Sequence, residues 1–384
     1  METVKGFKDF LGEDAIKRQK IREILVKSFN LYGFEPAETP IVEYEEFVRG
    51  DNPSDEAVSD TFKLKDRGNR KLALRYEFTF QLKRLAKNQK LPFKRYQMGN
   101  VFRDEPISGN RFRQFMQCDV DIIGSSIKDE AEVLTLTFNV LKELGIDANI
   151  NFNNRKLLNE ILEKEGIKKK EEVIREIDKL DKLPESEVRQ NLKKYKAENV
   201  LSIFKEPESF FEKYESFKEI KELKKYCEFY GANIIFLPSL ARGLSYYNGT
   251  VFEIKTKGMK ETVCAGGSYL VNGIQSTGIA FGLERLSKLA KIDFEDRRIL
   301  IVALSESKGL FKIIQKLRNN CIGCSVLFGK PSKALQYANS KGIGYTLFIG
   351  EKELESKKFK LKDMNKGKEF NLNFEGLVKK LNKI

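Results

Sequence analysis

No histidine occurs anywhere in the 384 residues. Imidazole is the usual general base near neutral pH and a common metal ligand. Serine–histidine and cysteine–histidine catalysis are therefore excluded, as are the usual zinc hydrolase sites. Any chemistry must run on arginine, carboxylate, tyrosine and amide groups. The five cysteines are scattered and odd in number, which argues for a reducing cytoplasm. Cys321 and Cys324 form a single CxxC. Without a second pair it is a weak metal signal, and no metal ligands are assigned. No apolar run approaches membrane-spanning length, so no membrane partner is expected. The start, METVKGFKDFLGED, carries charge throughout and has no apolar h-region, which predicts no signal peptide. The chain also lacks a P-loop, a glycine-rich dinucleotide fingerprint and internal repeats.

What is present suffices for real cores: 41% of residues are hydrophobic, and the length suggests two or three domains. The net charge of +14 suits a polyanionic partner. A generally Lys-rich composition would give the same excess without one.

The stretch from Arg95 to Gly124 organises the rest. In its second half Phe112, Met116, Cys118, Val120 and Ile122 alternate with Arg111, Arg113, Phe115, Gln117, Asp119 and Asp121. Period two predicts a strand with one face on the core. PISGN supplies a turn before it. The other face sets a phenylalanine among charges of both signs, which is either a solvated sheet face or a ligand face.

Around it, Glu13–Leu31 has the apolar spacing of an amphipathic helix. Phe34–Val42 is extended, with Pro36 and Pro40 keeping it out of a helix. Lys71–Tyr76 predicts a short strand that ends at Glu77, either a ligand residue or a surface carboxylate. Thr79 is placed to cap a helix running to Lys87. Lys128–Leu144 reads as a helix stopped by Gly145. Residues 155–231 are dense in Lys and Glu at helical spacing and predict a helical module. Strands follow at Asn233–Leu237 and in TVFEI. Gly266–Gly267 allows either a close backbone approach or a hairpin turn. Arg285 falls in the first turn of a helix opening at Gly282–Glu284, where an anion would be favoured; an ordinary surface arginine is the alternative. From Arg298 strands and helices alternate, predicting an α/β domain with a mainly parallel sheet.

Taken together, these segments resemble the class II aminoacyl-tRNA synthetases, specifically histidyl-tRNA synthetases of the archaeal and eukaryotic type, over nearly the whole length. FEPAETPIVE is similar to motif 1, VFRDE with RFRQF to motif 2, and FGLERL to motif 3. LARGLSYYNGTVFE and CAGGSY resemble the two histidine signatures, and LRYEFT and QCDVDIIG also match. The resemblance implies an α+β fold: an antiparallel-sheet catalytic domain (1–154 and 232–296), interrupted by a helical insertion (155–231), then an α/β anticodon-binding domain (297–384). It implies activation of L-histidine by ATP with Mg²⁺, transfer to histidine tRNA, and a cytoplasmic homodimer joined through motif 1.

The implied roles are specific. Arg103 and Arg242 flank the α-phosphate, and Arg285 holds the γ-phosphate; these are the catalytic set. Phe115 stacks on adenine, Glu105 contacts the ring or its amino group, and Arg113 holds phosphates. Glu77, Thr79 and Gln117 take the histidine ammonium, while Asp121, Tyr247 and Tyr269 attend the imidazole. The attacking carboxylate is already charged, so the first step needs no base. In the second, the adenylate phosphate helps take the proton from the tRNA hydroxyl. The loop Pro106–Asn110 would reach the tRNA acceptor end. Four positions depart from the signatures: Ser245, Ala265, Ser268 and Leu270. A regulatory subunit of ATP phosphoribosyltransferase shares the catalytic fold and is the alternative function. Such relatives lack the last domain and typically the RGL arginine, whereas this chain keeps Arg242 and residues 298–384.

Overall fold

A computed structural model describes residues 2–48, 60–109, 111–243, 246–292 and 298–383. The chain divides into two compact units, Met1–Ile292 and Asp293–Ile384. The border expected near Asp296 lies outside the described residues, as does Ser245.

The first unit holds strands β1 (Glu35–Pro36), β2 (Val42–Tyr44), β3 (Lys63–Lys65), β4 (Lys71–Leu74), β5 (Phe93–Phe102), β6 (Gln114–Ile123), β7 (Asn149–Asn154), β8 (Ile235–Phe236), β9 (Tyr247–Thr256), β10 (Met259–Val271) and β11 (Ile274–Gly282). Eight form one sheet in the order β1-β5-β6-β11-β10-β9-β7-β8, while β2, β4 and β3 form a small second sheet. The central pairs are antiparallel, and the two outermost pairs, β1/β5 and β7/β8, are parallel.

The period of two in β6 does the sorting. Cys118, Val120 and Ile122 are fully buried in the main core. There they meet Ile21, Leu25 and Phe29 of the helix Gly12–Leu31, and Val133, Leu136 and Val140 of the helix Ile127–Glu143. Burying each such side chain is worth roughly 1.5–3 kcal/mol. The Ile127–Glu143 helix opens with a Ser126–Asp129 capping box and stops at Gly145, whose φ of +65° suits glycine.

The helices of 155–231 bridge the parallel edge strands β7 and β8. Leu157, Ile161, Ile177 and Ile220 belong to the same apolar cluster as the sheet, so these helices share its core. Two local expectations change. Thr79 does not cap its helix: the helix spans Thr79–Leu85, the cap position is Phe78, and the Thr79 hydroxyl bonds Glu77 instead. Gly266–Gly267 is no hairpin turn but mid-β10; the turn is Asn272–Gly273, both at positive φ.

The second unit has strands β12 (Ile299–Ala303), β13 (Cys324–Phe328), β14 (Tyr345–Ile349), β15 (Phe359–Asp363) and β16 (Glu369–Leu372), ordered β13-β12-β14-β15-β16. The sheet is mixed rather than mainly parallel, because β15 and β16 add antiparallel pairings. β15 is FKLKD, where alternating lysines mask a strand whose Phe359 and Leu361 are buried.

Candidate active site

The polar face of β6 forms the floor of a cavity of about 510 Å³. Phe115, Gln117, Asp119 and Asp121 line it, beside Glu77 and Thr79 after β4, Arg103 after β5, Tyr247 of β9, Tyr269 of β10 and Arg285 after β11. β6 is paired antiparallel between β5 and β11, so its cavity face adjoins Arg103 just past the end of β5 and Arg285 just past the end of β11.

One half is cationic. The Arg103 guanidinium lies 4.2 Å from the Tyr76 ring centre and 5.1 Å from that of Phe115. Glu105 stands 3.8 Å from both Arg103 and Arg111. Arg285 donates to the Thr262 carbonyl at 2.5 Å. Burial, then the Arg103 guanidinium, lowers the Arg285 pKa, with Arg111 adding to the effect. Arg285, with the Arg103 and Arg111 charges bearing on it, makes this half of the cavity a site for an anion. Arg113 is placed elsewhere: it pairs with Asp104 at 3.0 Å, donates to the Glu105 carbonyl and covers Gly6. Strand pairing begins only at Gln114, so the alternation breaks before it, and Arg111 and Phe112 line the cavity instead.

The other half is acidic. Burial raises the Glu77 carboxyl from 4.5 to about 7, and the nearby Asp121 charge adds to this. Asp119 is pushed well up by burial, then by Asp121. Asp121 pairs with the fully buried Arg95 at 2.7 Å and accepts from the Tyr269 hydroxyl. The rings of Tyr246, Tyr247 and Tyr269 cluster beside it, with Tyr246 and Tyr247 centred 4.7 Å apart. Oε1 of Glu77 and Oε1 of Gln117 are buried without a hydrogen-bond partner among the described residues. The amide oxygen of Gln117 can only accept, and Glu77 does the same once ionised, so together they call for a ligand with several donors.

Glycines open the space. A Cβ on Gly278 would lie 2.1 Å from Asp121 Oδ1, and one on Gly267 2.9 Å from the Tyr247 ring. Arg242 joins the cavity from the β8–β9 connection, 3.4 Å from Glu253 of β9, with its carbonyl accepting from Arg155. Asp178, from the insertion, faces Arg242, and burial raises its carboxyl to about 6. Of the signature departures, Ala265 lines the cavity, Ser268 donates to Glu130, and Leu270 is half exposed on the other face.

Arg111, Asp119, Asp178, Glu253 and Gly278 were given no role by sequence reasoning. Asp119 was marked by its odd position in β6. Asp178 and Glu253 carry no local signal, because they meet Arg242 only through the fold.

An antiparallel sheet that presents motif 2 arginines, a motif 3 arginine and an acidic pocket to one cavity is the architecture of a class II aminoacyl-tRNA synthetase. Residues 6–286 match the family model described as histidyl-tRNA synthetase, and residues 299–384 that described as anticodon binding domain. The chain belongs to the histidyl-tRNA synthetase family. It is 34% identical to histidine–tRNA ligase 1 of Bacillus cereus, over 99% of both chains. It is 33% identical to the histidine–tRNA ligase of Wolinella succinogenes, over 95% of this chain and 94% of that one. The crystal structure of histidyl-tRNA synthetase from Nostoc superposes with a TM-score of 0.84 at 25% identity, covering 100% of this chain and 99% of that one. These relatives are bacterial, so the expected archaeal and eukaryotic type finds no support in them.

Proposed function

We propose that this chain activates L-histidine with ATP and transfers it to histidine tRNA. The carrying observation is one cavity in which unpartnered buried acceptors adjoin an arginine cluster. The histidine ammonium would be held by Glu77, Thr79 and Gln117. The imidazole would lie against Asp121, Tyr247 and Tyr269. A site with a buried carboxylate strongly rejects side chains that cannot donate to it. Phe115 would stack on adenine, with Glu105 at its edge.

The histidine carboxylate oxygen attacks the α-phosphorus and pyrophosphate leaves. The nucleophile is already ionised, so no protein base acts. Arg103 and Arg242 would stabilise charge growing on the α-phosphate, and Arg285, with Arg111 beside it, would hold the leaving phosphates. A tRNA hydroxyl then attacks the carbonyl carbon and releases AMP.

Among the described residues no three carboxylate or thiol groups are arranged to hold a metal. Mg²⁺ takes phosphate oxygens and water with at most one or two carboxylates, and Glu105 and Glu261, which line the phosphate side, would supply them. The ion would shield phosphate charge when bound. We further propose the sequence-derived domain borders, a cytoplasmic setting and a homodimer through the motif 1 segment.

Histidine-dependent ATP–pyrophosphate exchange, followed by charging of histidine tRNA, tests the reading. Exchange with histidine and none with other amino acids is expected. A complete lack of exchange refutes it and favours the regulatory alternative.

A further inference from the structure

Asp119 sits between Gln117 and Asp121 on the cavity face of β6, almost fully buried. Its two carboxylate oxygens accept from Gln117 Nε2, at 3.1 and 2.9 Å. A glutamine amide has a donor end and an acceptor end, which exchange by a half-turn about the last side-chain bond. Burial raises the Asp119 pKa, but a cationic ligand group beside it favours the ionised form, which can only accept and so selects the donor end. The acceptor end is thereby fixed too: Gln117 Oε1 is buried and has no partner among the described residues. Arg95 reaches Asp121 and the Phe78 carbonyl through Nη2, while its Nε and Nη1 have no hydrogen-bond partner among the described residues and its positive charge bears on Asp119. Gln97, which pairs with Asp119 from β5, donates to the Thr39 hydroxyl.

We propose that Asp119 is a positioning residue for substrate recognition, pinning the Gln117 amide so that its oxygen, and not its NH₂, is presented to the substrate's ammonium group. This rests on the function proposed above. Asp119 touches no substrate; it acts through the amide beside it. Its negative charge also favours a cationic ligand group nearby, but that effect does not pass through Gln117. The two contributions can be separated.

Asp119→Asn keeps the shape while letting position 119 donate as well as accept. The reversed amide, with NH₂ toward the ammonium, then becomes available. Histidine KM in pyrophosphate exchange should rise about tenfold, the scale of one lost charge-assisted hydrogen bond. The kcat and the ATP KM should change by less than about twofold. Calorimetric titration of histidine alone should show the same weakening, and thermal unfolding of each variant checks that it folds. In a Gln117→Ala background, Asp119→Asn should raise histidine KM clearly less than in the wild-type background, by the charge contribution alone, since coupled residues are non-additive. Equal effects in both backgrounds would mean that Asp119 acts on the ligand by charge alone, which overturns the proposal. So would an unchanged histidine KM in Asp119→Asn. Wild-type protein without exchange would refute the enzymatic reading itself, before any variant is compared.

Discussion

Replacing Glu77 with glutamine should stabilise the empty protein above neutral pH while removing histidine binding. Glu77 is 5% exposed, and burial raises its carboxyl from 4.5 to about 7. In the unfolded chain it ionises near the lower value. Between the two values the unfolded chain has given up the proton and the folded chain still holds it. The unfolded state then binds fewer protons, so stability falls as pH rises. The contribution is fully present below pH 4.5 and is lost once pH passes about 7. A change of that size is worth about 3 kcal/mol. Glutamine is neutral throughout and does not incur the loss, and its amide oxygen can still accept from the Thr79 and Tyr246 hydroxyls. Urea unfolding of the full chain, followed by circular dichroism without ligand, gives the measurement. The variant's stability minus that of wild type should grow by about 3 kcal/mol from below pH 4.5 to pH 8. Saturating histidine should then stabilise wild type and not the variant. A stability difference that stays flat across this range would refute the placement of Glu77 as a buried carboxylate.

The arginine half separates by substitution. Arg111→Ala should raise the ATP KM about tenfold or more, as expected for a lost charge-assisted contact, whereas Arg113→Ala should mainly lower the melting temperature by releasing the segment at Gly6. Steady-state exchange and thermal unfolding distinguish the two. Arg242→Ala should cut the exchange kcat about 10²–10³-fold, the usual effect of losing one transition-state donor, while calorimetry still detects histidine. Gly278→Ala would set a Cβ 2.1 Å from Asp121 Oδ1 and 2.7 Å from the Val120 carbonyl. It should abolish histidine binding by calorimetry, and wild-type affinity in that variant would mean the two strands are not so close.

Much of the site was legible because a strand is a simple ruler. Once β6 is a strand, Phe115, Gln117, Asp119 and Asp121 must share a face, and the buried Cys118, Val120 and Ile122 show which face is not theirs. The ruler fails where pairing stops. Arg113 lies just before the β6 pairing begins and does not line the cavity. Glu77 was visible as the end of a strand, but its burial was not, since that depends on Tyr246 and Asp121 from distant segments. The clearance at Gly278 was hidden for the same reason: it exists only because Gly278 faces Asp121 across two strands. In the second unit, Lys360 and Lys362 give β15 the look of a solvated loop, although Phe359 and Leu361 bury the opposite side.

The order of charges across the cavity matters more than their number. An α-amino acid carries its ammonium and its carboxylate on one carbon, so a site for it needs an acceptor and a cation side by side. Glu77 and Arg103 meet this condition. Arg103 donates to the carbonyl of Tyr76, the residue preceding Glu77, and its charge draws the Glu77 pKa downward against burial. An ammonium at Glu77 and Gln117 would leave the carboxylate facing Arg103, on the side of Arg111 and Arg285. The side chain must then extend the other way, toward Asp121 and the tyrosine cluster. One orientation satisfies all three groups, and it brings a charged nucleophile to a phosphate with no proton to remove. A chain without histidine can run that chemistry, because the only imidazole the site requires is the substrate's own.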